Sequence, residues 1–158
     1  AQQVVADHSA TSAKHSIRCT IEPTSQPYLV RGDSARLLQV LANLVQNAIK
    51  YSPYGGLITV SLCQHANGKG VSLIEVCVAD KGIGVPKDAQ VHLFERFYRA
   101  PNSEGNKARG IGLGLYVVAQ LLQMHGGTIH VESSGICGEG SRFIFILPLL
   151  EGNNTTRA

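Results

Sequence analysis

Apolar residues recur along this chain at two spacings, and the change from one to the other marks out its elements. From Ala35 to Tyr51 the set Leu37, Leu38, Val40, Leu41, Leu44, Val45 and Ala48 repeats at a helical period, which predicts one amphipathic helix. Asp33 or Ser34 offers the N-cap oxygen, and Pro53 with the pair Gly55-Gly56 stops the helix. A second helix is predicted over Leu113 to His125, ended by Gly126-Gly127. Gln2 to Lys14 is weakly helical. Between these the pattern is β-rich. Leu57 to Gln64 and Val71 to Ala79 predict a hairpin closed by Asn67-Gly68-Lys69-Gly70. Thr128 to Glu132 and Ser141 to Leu147, linked through Gly138 and Gly140, predict another. Ile17 to Ile21 and Tyr28 to Val30 read as short strands around Pro23 and Pro27. From Asp80 to Gly112 the chain is irregular and glycine-rich. Helices and strands are mixed without strict alternation. The expected architecture is therefore α/β of the α+β kind, a mixed sheet with helices on one face, and not a doubly wound sheet.

Composition narrows the function. The 158 residues are 44% hydrophobic and 16% charged, enough for one domain with a sizeable core, expected over residues 1–150 with a polar tail at 151–158. A formal charge of +3, scattered along the chain, argues against a nucleic-acid surface. Cys19, Cys63, Cys77 and Cys137 form no C-x-x-C pair and lack metal-ligand spacing, so they are expected to be reduced thiols. No run approaches the ~20 apolar residues of a membrane span. Ala1 to Ser12 has no signal-peptide pattern, and the N-x-T triplets at Asn153 and Asn154 are read as accidents of a polar tail.

Four stretches carry candidate chemistry. On the first long helix Asn43, Asn47, Lys50 and Tyr51 fall at i, i+4, i+7 and i+8, sharing an arc of roughly 100° beside the apolar stripe. An amide oxygen suits Mg²⁺ and a lysine suits phosphate, although a polar helix face tolerates asparagines for no reason at all. Asp80-Lys81-Gly82-Ile83-Gly84 leaves a carboxylate at a strand end, able to accept from an exocyclic amine, with glycines that let a flat base approach; an ordinary Asx turn reads the same way. Arg109-Gly110-Ile111-Gly112-Leu113-Gly114-Leu115 exposes backbone N–H groups where a helix begins, a favourable phosphate position. Its spacing is neither the dinucleotide fingerprint nor the P-loop, and Gly68-Lys69-Gly70 reads only as a turn. Leu93-Phe94-Glu95-Arg96-Phe97-Tyr98-Arg99 precedes the loop Ala100 to Arg109, either as an amphipathic dock or as the hinge of a lid that brings Arg96 or Arg99 to a terminal phosphate.

In order and spacing these stretches resemble the N, first glycine, F and second glycine boxes of the ATP-binding catalytic domain of two-component sensor histidine kinases, and Gly138-Glu139-Gly140-Ser141 resembles the third glycine element. The match runs over residues 30–148. The resemblance implies the Bergerat fold, an α/β sandwich with a mobile ATP lid, and ATP with Mg²⁺ as ligands. It implies Asn47 on Mg²⁺, Asp80 on the adenine amine, Lys50 and Arg99 on phosphates, and Tyr51 and Phe94 near the nucleotide. Gly82 and Gly84 then shape the adenine pocket, Gly110, Gly112, Leu113 and Gly114 border the phosphates and anchor the lid, and Ser141 supports the base.

Asn43 stands where hydrolysing relatives carry a glutamate; an amide is no general base, which favours transfer over hydrolysis. Arg109 and Ser141 depart mildly from the family pattern. The family's acceptor histidine is followed by Glu or Asp, whereas His8, His15, His65, His92, His125 and His130 are not. His125 reads as a plain residue at a helix C-terminus. A phosphoacceptor on a separate dimerisation domain and a downstream response regulator are the implied partners, with a cytoplasm-facing location and no direct membrane contact. A nucleotide-sensing module without transfer, a Bergerat ATPase or a protein-serine kinase are the alternatives.

Overall fold

The computed structural model describes residues 1–9, 14–24, 27–66, 72–103 and 111–150. In chain order these form α1 (Gln2–Ser9), β1 (His15–Ile21), α2 (Ser34–Lys50), β2 (Gly56–Ala66), β3 (Ser72–Ala79), the short α3 (Lys87–Gln90), α4 (Gly114–Met124), β4 (Thr128–Glu132) and β5 (Arg142–Pro148). The strands make one sheet in the order β1-β2-β3-β5-β4. β1 lies parallel to β2 and every other pair is antiparallel, so the sheet is mixed and mostly antiparallel as expected. The parallel pair follows from connectivity: α2 carries the chain from the end of β1 back to the start of β2, as a parallel crossover requires.

One sheet face is covered. Ile58, Val60, Val76, Val78, Phe143, Phe145 and Leu147 point from it into a single core with Val40, Leu41, Leu44, Val45 and Ala48 of α2 and Val118, Leu121 and Leu122 of α4. Alternation along the strands then sends Thr59, Ser61, Cys63, His65 and Glu75 to the opposite face.

α2 begins where its cap was expected. Asp33 Oδ1 accepts from the backbone N–H groups of Ala35 and Arg36 at 2.9 and 3.2 Å. His125 is more than a helix-end residue. Its Nδ1–H donates to the Leu121 carbonyl at 2.6 Å, leaving Nε2 to accept from the Asp33 N–H at 3.0 Å, so the end of α4 holds the start of α2. Gly32 makes room for that ring, since a Cβ there falls 2.4 Å from it.

Tyr28–Val30 is not a strand. Val30 makes a single bridge to Leu149, and Leu150 N–H reaches the Leu29 carbonyl at 2.8 Å. Pro27, without an N–H, cannot extend that ladder. The turn at 67–70, the lid residues 104–109 with Gly110, and the tail at 151–158 lie outside the described residues. Among the described residues no helix is long and apolar enough to cross a membrane.

Candidate functional site

A cavity of about 460 Å³ opens between α2, the start of α4, the loop after β3 and the segment 98–103. That size suits a small organic ligand. Of the four residues on the predicted helical arc, Asn47, Lys50 and Tyr51 line the cavity, and Asp80 faces it from the end of β3. Gly84, Arg99, Gly112, Leu113, Gly114 and Ser141 line it as well.

Asp80 is the buried charge of the site, with 6% of its surface exposed. Its Oδ1 accepts from the Gly82 N–H at 2.8 Å. Burial pushes its carboxyl above the usual carboxylate range, against the opposing N–H groups of Gly82 and Ser141 and the nearby Ser52 hydroxyl. Ser52 Oγ itself is buried without a well-formed hydrogen bond, an orphaned hydroxyl beside a carboxylate. Such a pair suits a ligand that offers N–H donors.

The loop carrying Asp80 is braced from two sides. Ile83 N–H donates to the Tyr51 carbonyl at the end of α2, at 3.0 Å, and Gly138 N–H donates to the Gly82 carbonyl at 2.8 Å. Glycine is required at both contact points. A Cβ on Gly82 would lie 2.1 Å from the Tyr51 carbonyl oxygen, and one on Gly140, at φ 77°, would lie 2.0 Å from that of Asp80. Gly82 therefore shapes the pocket from behind without lining it.

Around Ile111 and Phe97 the structure is more exposed. Ile111 is 74% exposed, and Phe97 holds a left-handed backbone at φ 66°, uncommon for a bulky residue. Phe97 N–H donates to the Gly112 carbonyl at 3.0 Å, and the Arg96 guanidinium lies 4.7 Å from the Phe97 ring centre. An Arg99 N–H reaches the Ser103 carbonyl at 3.4 Å. Lys50 Nζ stands 5.1 Å from the Tyr51 ring centre. Two cations, an amide and the glycine-rich start of α4 thus line the same cavity as Asp80, a set that favours an anionic group on a ligand.

Besides Gly82, Asn43 and Phe94 of the expected residues sit apart from the cavity, and Gly110 lies outside the described residues. Asn43, one turn before Asn47, donates its amide to the Gln39 carbonyl at 3.0 Å and does not line it. Phe94 does not line it either and packs against the core. Sequence reasoning missed Tyr98, Asn102 and Ser103 as lining residues. Asn102 Nδ2 donates to the Gly84 carbonyl at 3.0 Å and so ties the 101–103 turn to the Asp80 loop. The only hint was its place after Pro101 in an otherwise featureless loop.

Comparison with known proteins agrees with this geometry. Residues 32–151 match the family model described as "Histidine kinase-, DNA gyrase B-, and HSP90-like ATPase". The chain is 40% identical over 119 residues to the sensor histidine kinase WalK of Bacillus subtilis, covering 75% of this chain and 19% of that protein. It therefore spans about a fifth of that relative's length. Among solved structures, the mycobacterial sensor histidine kinase MprB superposes with a TM-score of 0.77 at 28% identity, covering 96% of this chain and 93% of that one. Full-length ShkA in complex with AMPPNP superposes with a TM-score of 0.72 at 29% identity, covering 96% of this chain and 29% of that one.

Proposed function

The chain belongs to the histidine kinase-, DNA gyrase B- and HSP90-like ATPase family, as an ATP-binding catalytic domain of the sensor histidine kinase kind, and from that premise we propose that it presents the γ-phosphoryl group of Mg-ATP to a histidine on a separate dimerisation domain. One observation carries this reading: Asn47, Lys50 and the buried Asp80 line a single cavity. Adenine belongs at the closed end, its exocyclic amine donating to the Asp80 carboxylate, with the Gly84 backbone lining the wall beside the flat ring. The phosphates belong at the open end, beside Lys50, Arg99 and the backbone at Gly112 and Gly114.

The site fits Mg²⁺ by donor chemistry, because Asn47 lines the cavity and its side chain carries a hard amide oxygen. Bound there, Mg²⁺ supplies charge neutralisation on the phosphates. The protein's own part is positioning and further neutralisation by Lys50 and Arg99. An acceptor imidazole nitrogen attacks the γ-phosphorus, the bond to the β-phosphate oxygen breaks, ADP leaves, and the imidazole proton goes to solvent. Asn43 supports transfer over hydrolysis, since an amide committed to the Gln39 carbonyl offers no base for water.

A response regulator then receives the phosphoryl group from that histidine. Dependence on ATP sets this domain facing the cytoplasm. Labelled ATP, mixed with this domain and a matching acceptor-histidine domain, tests the reading. Label on the acceptor histidine supports it. Nucleotide binding without transfer points instead to a sensing module, and steady phosphate release without acceptor points to an ATPase.

A further inference from the structure

The sheet face turned away from the cavity carries a second cluster of chemistry. On β2, Cys63 and His65 are two residues apart and so project from the same face. Across the ladder, Cys63 pairs in register with Glu75 of β3. The three donor groups converge, and taking one atom from each they lie within 4.8 Å of one another. Cys63 Sγ lies 3.2 Å from His65 Nε2 and 3.9 Å from Glu75 Oε1, and His65 Nε2 lies 3.6 Å from Glu75 Oε2. A tetrahedral Zn²⁺ with ordinary Zn–S, Zn–N and Zn–O bonds sets its ligands about 3.3–3.6 Å apart. Each separation, measured to one or the other Glu75 oxygen, lies within a few tenths of an ångström of that range, and rotation of the carboxylate brings a single oxygen to both partners.

We propose that Cys63, His65 and Glu75 form a three-residue binding site for a borderline-soft divalent cation, Zn²⁺ by ligand type, on the face of the sheet opposite the cavity. A thiolate, an imidazole and a carboxylate are the donor set that Zn²⁺ favours over Mg²⁺ or Ca²⁺, which take oxygen alone. The sheet fixes two of the three ligand positions through the β2–β3 register, so little ordering is left for binding to accomplish. Burial, together with the Glu75 and Glu22 charges, pushes the Cys63 thiol up, so the metal-free site keeps its thiol proton. On binding, the S–H bond breaks, the proton leaves to solvent and an S–Zn bond forms, with no change of oxidation state. The remaining coordination position is open to water. The sequence reading looked for paired cysteines and passed over this set, because its third ligand comes from the neighbouring strand.

Co²⁺ serves as the probe, titrated in the absence of nucleotide into the full chain after stripping with a chelator. A thiolate-to-cobalt charge-transfer band and the intense visible bands of a four-coordinate site are expected, saturating at one ion per chain and displaced by Zn²⁺. Cys63→Ser should abolish the charge-transfer band, and His65→Ala should weaken Co²⁺ binding at least ~100-fold, the upper range for loss of a mere outer-shell partner. Cys137→Ser, which removes an exposed thiol elsewhere, should change neither. All three variants should bind an ATP analogue as the parent does, which separates this site from the nucleotide cavity and certifies the fold. No charge-transfer band in the parent, a band that survives Cys63→Ser, or unchanged affinity in His65→Ala overturns the proposal. Should Cys63→Ser fail to fold, alkylation of the parent decides. Zn²⁺ must protect Cys63 while leaving Cys137 reactive, and equal reactivity of Cys63 with and without Zn²⁺ overturns the site.

Discussion

At one end of the cavity Asp80 is almost wholly buried, tied through Gly82, Ile83 and Gly140 to the end of α2 and the loop before β5. Elsewhere Ile111, another lining residue, stands in solvent, and Phe97, outside the lining, holds a backbone conformation that its side chain disfavours. The closed end is built from backbone contacts so short that only glycine fits them. The end proposed for the phosphates takes in two long cations of the lining, Lys50 and Arg99, whose reach does not depend on an exact backbone path. The first arrangement suits recognition of a rigid flat base and the second suits a flexible, highly charged phosphate chain. A base needs a fixed hydrogen-bond partner, whereas phosphates need only nearby positive charge.

Four substitutions test that division. The largest effect is expected for Asp80→Asn. The amide keeps its acceptor toward Gly82 but offers an N–H₂ group toward the adenine amine, so binding of a non-hydrolysable ATP analogue should fall ~100-fold or more by calorimetry. Stability of the ligand-free protein should hold or rise, because a charge leaves a buried position. A nucleotide affinity within reach of the parent's would remove the closed end's role altogether.

The pH dependence follows from the same residue. Because the folded pKa of Asp80 is raised, the folded state holds this proton more tightly than the unfolded chain. Asp80 thus costs stability above that window, and the cost vanishes as pH falls through it. Analogue affinity should move the opposite way, declining on acidification at a pH above that of a solvent-exposed aspartate. Asp80→Asn should flatten this limb of the profile.

Next comes Gly140→Ala, which forces a Cβ against the Asp80 carbonyl at a positive φ. A loss of about 3 kcal/mol in urea unfolding is expected. Arg99→Ala acts at the open end and should weaken ATP about tenfold while leaving adenosine nearly unaffected; equal losses for both would erase the contrast between the ends. Smallest is Phe97→Gly, where relief of the left-handed backbone should add on the order of 1 kcal/mol, offset in part by the lost ring contact with Arg96. A thermal melt measures the balance.

What was legible in the sequence divides along the same line. The α2 stripe and the Asn47, Lys50, Tyr51 spacing were readable because a helix converts sequence distance directly into a shared face. Asp80 was readable because a carboxylate followed by two glycines leaves a strand in few ways. Asn43 shared the arc yet misses the cavity, since one turn of helix carries it past the cavity's edge near Gly114. Asn102 was not readable: it reaches the site through a contact with Gly84, distant in sequence, which no local period encodes, and Ser52 and Tyr98, though next to Tyr51 and Arg99, carry no spacing signal of their own. His125 was underrated for that reason too, its partner Asp33 lying on another helix. Tyr28–Val30 failed because β propensity does not replace the donor that Pro27 lacks.

Helix α2 is a beam fixed at both supports. The imidazole of His125 grips its first turn, and the Tyr51 carbonyl is held by Ile83 at its last. A beam so mounted cannot roll about its long axis: a slip of one residue, ~100° of rotation, would swing Asn47 and Lys50 out of the cavity and break both mounts together. Turning this helix therefore costs a hydrogen bond at each of its ends before the Asn47 and Lys50 side chains can leave the cavity.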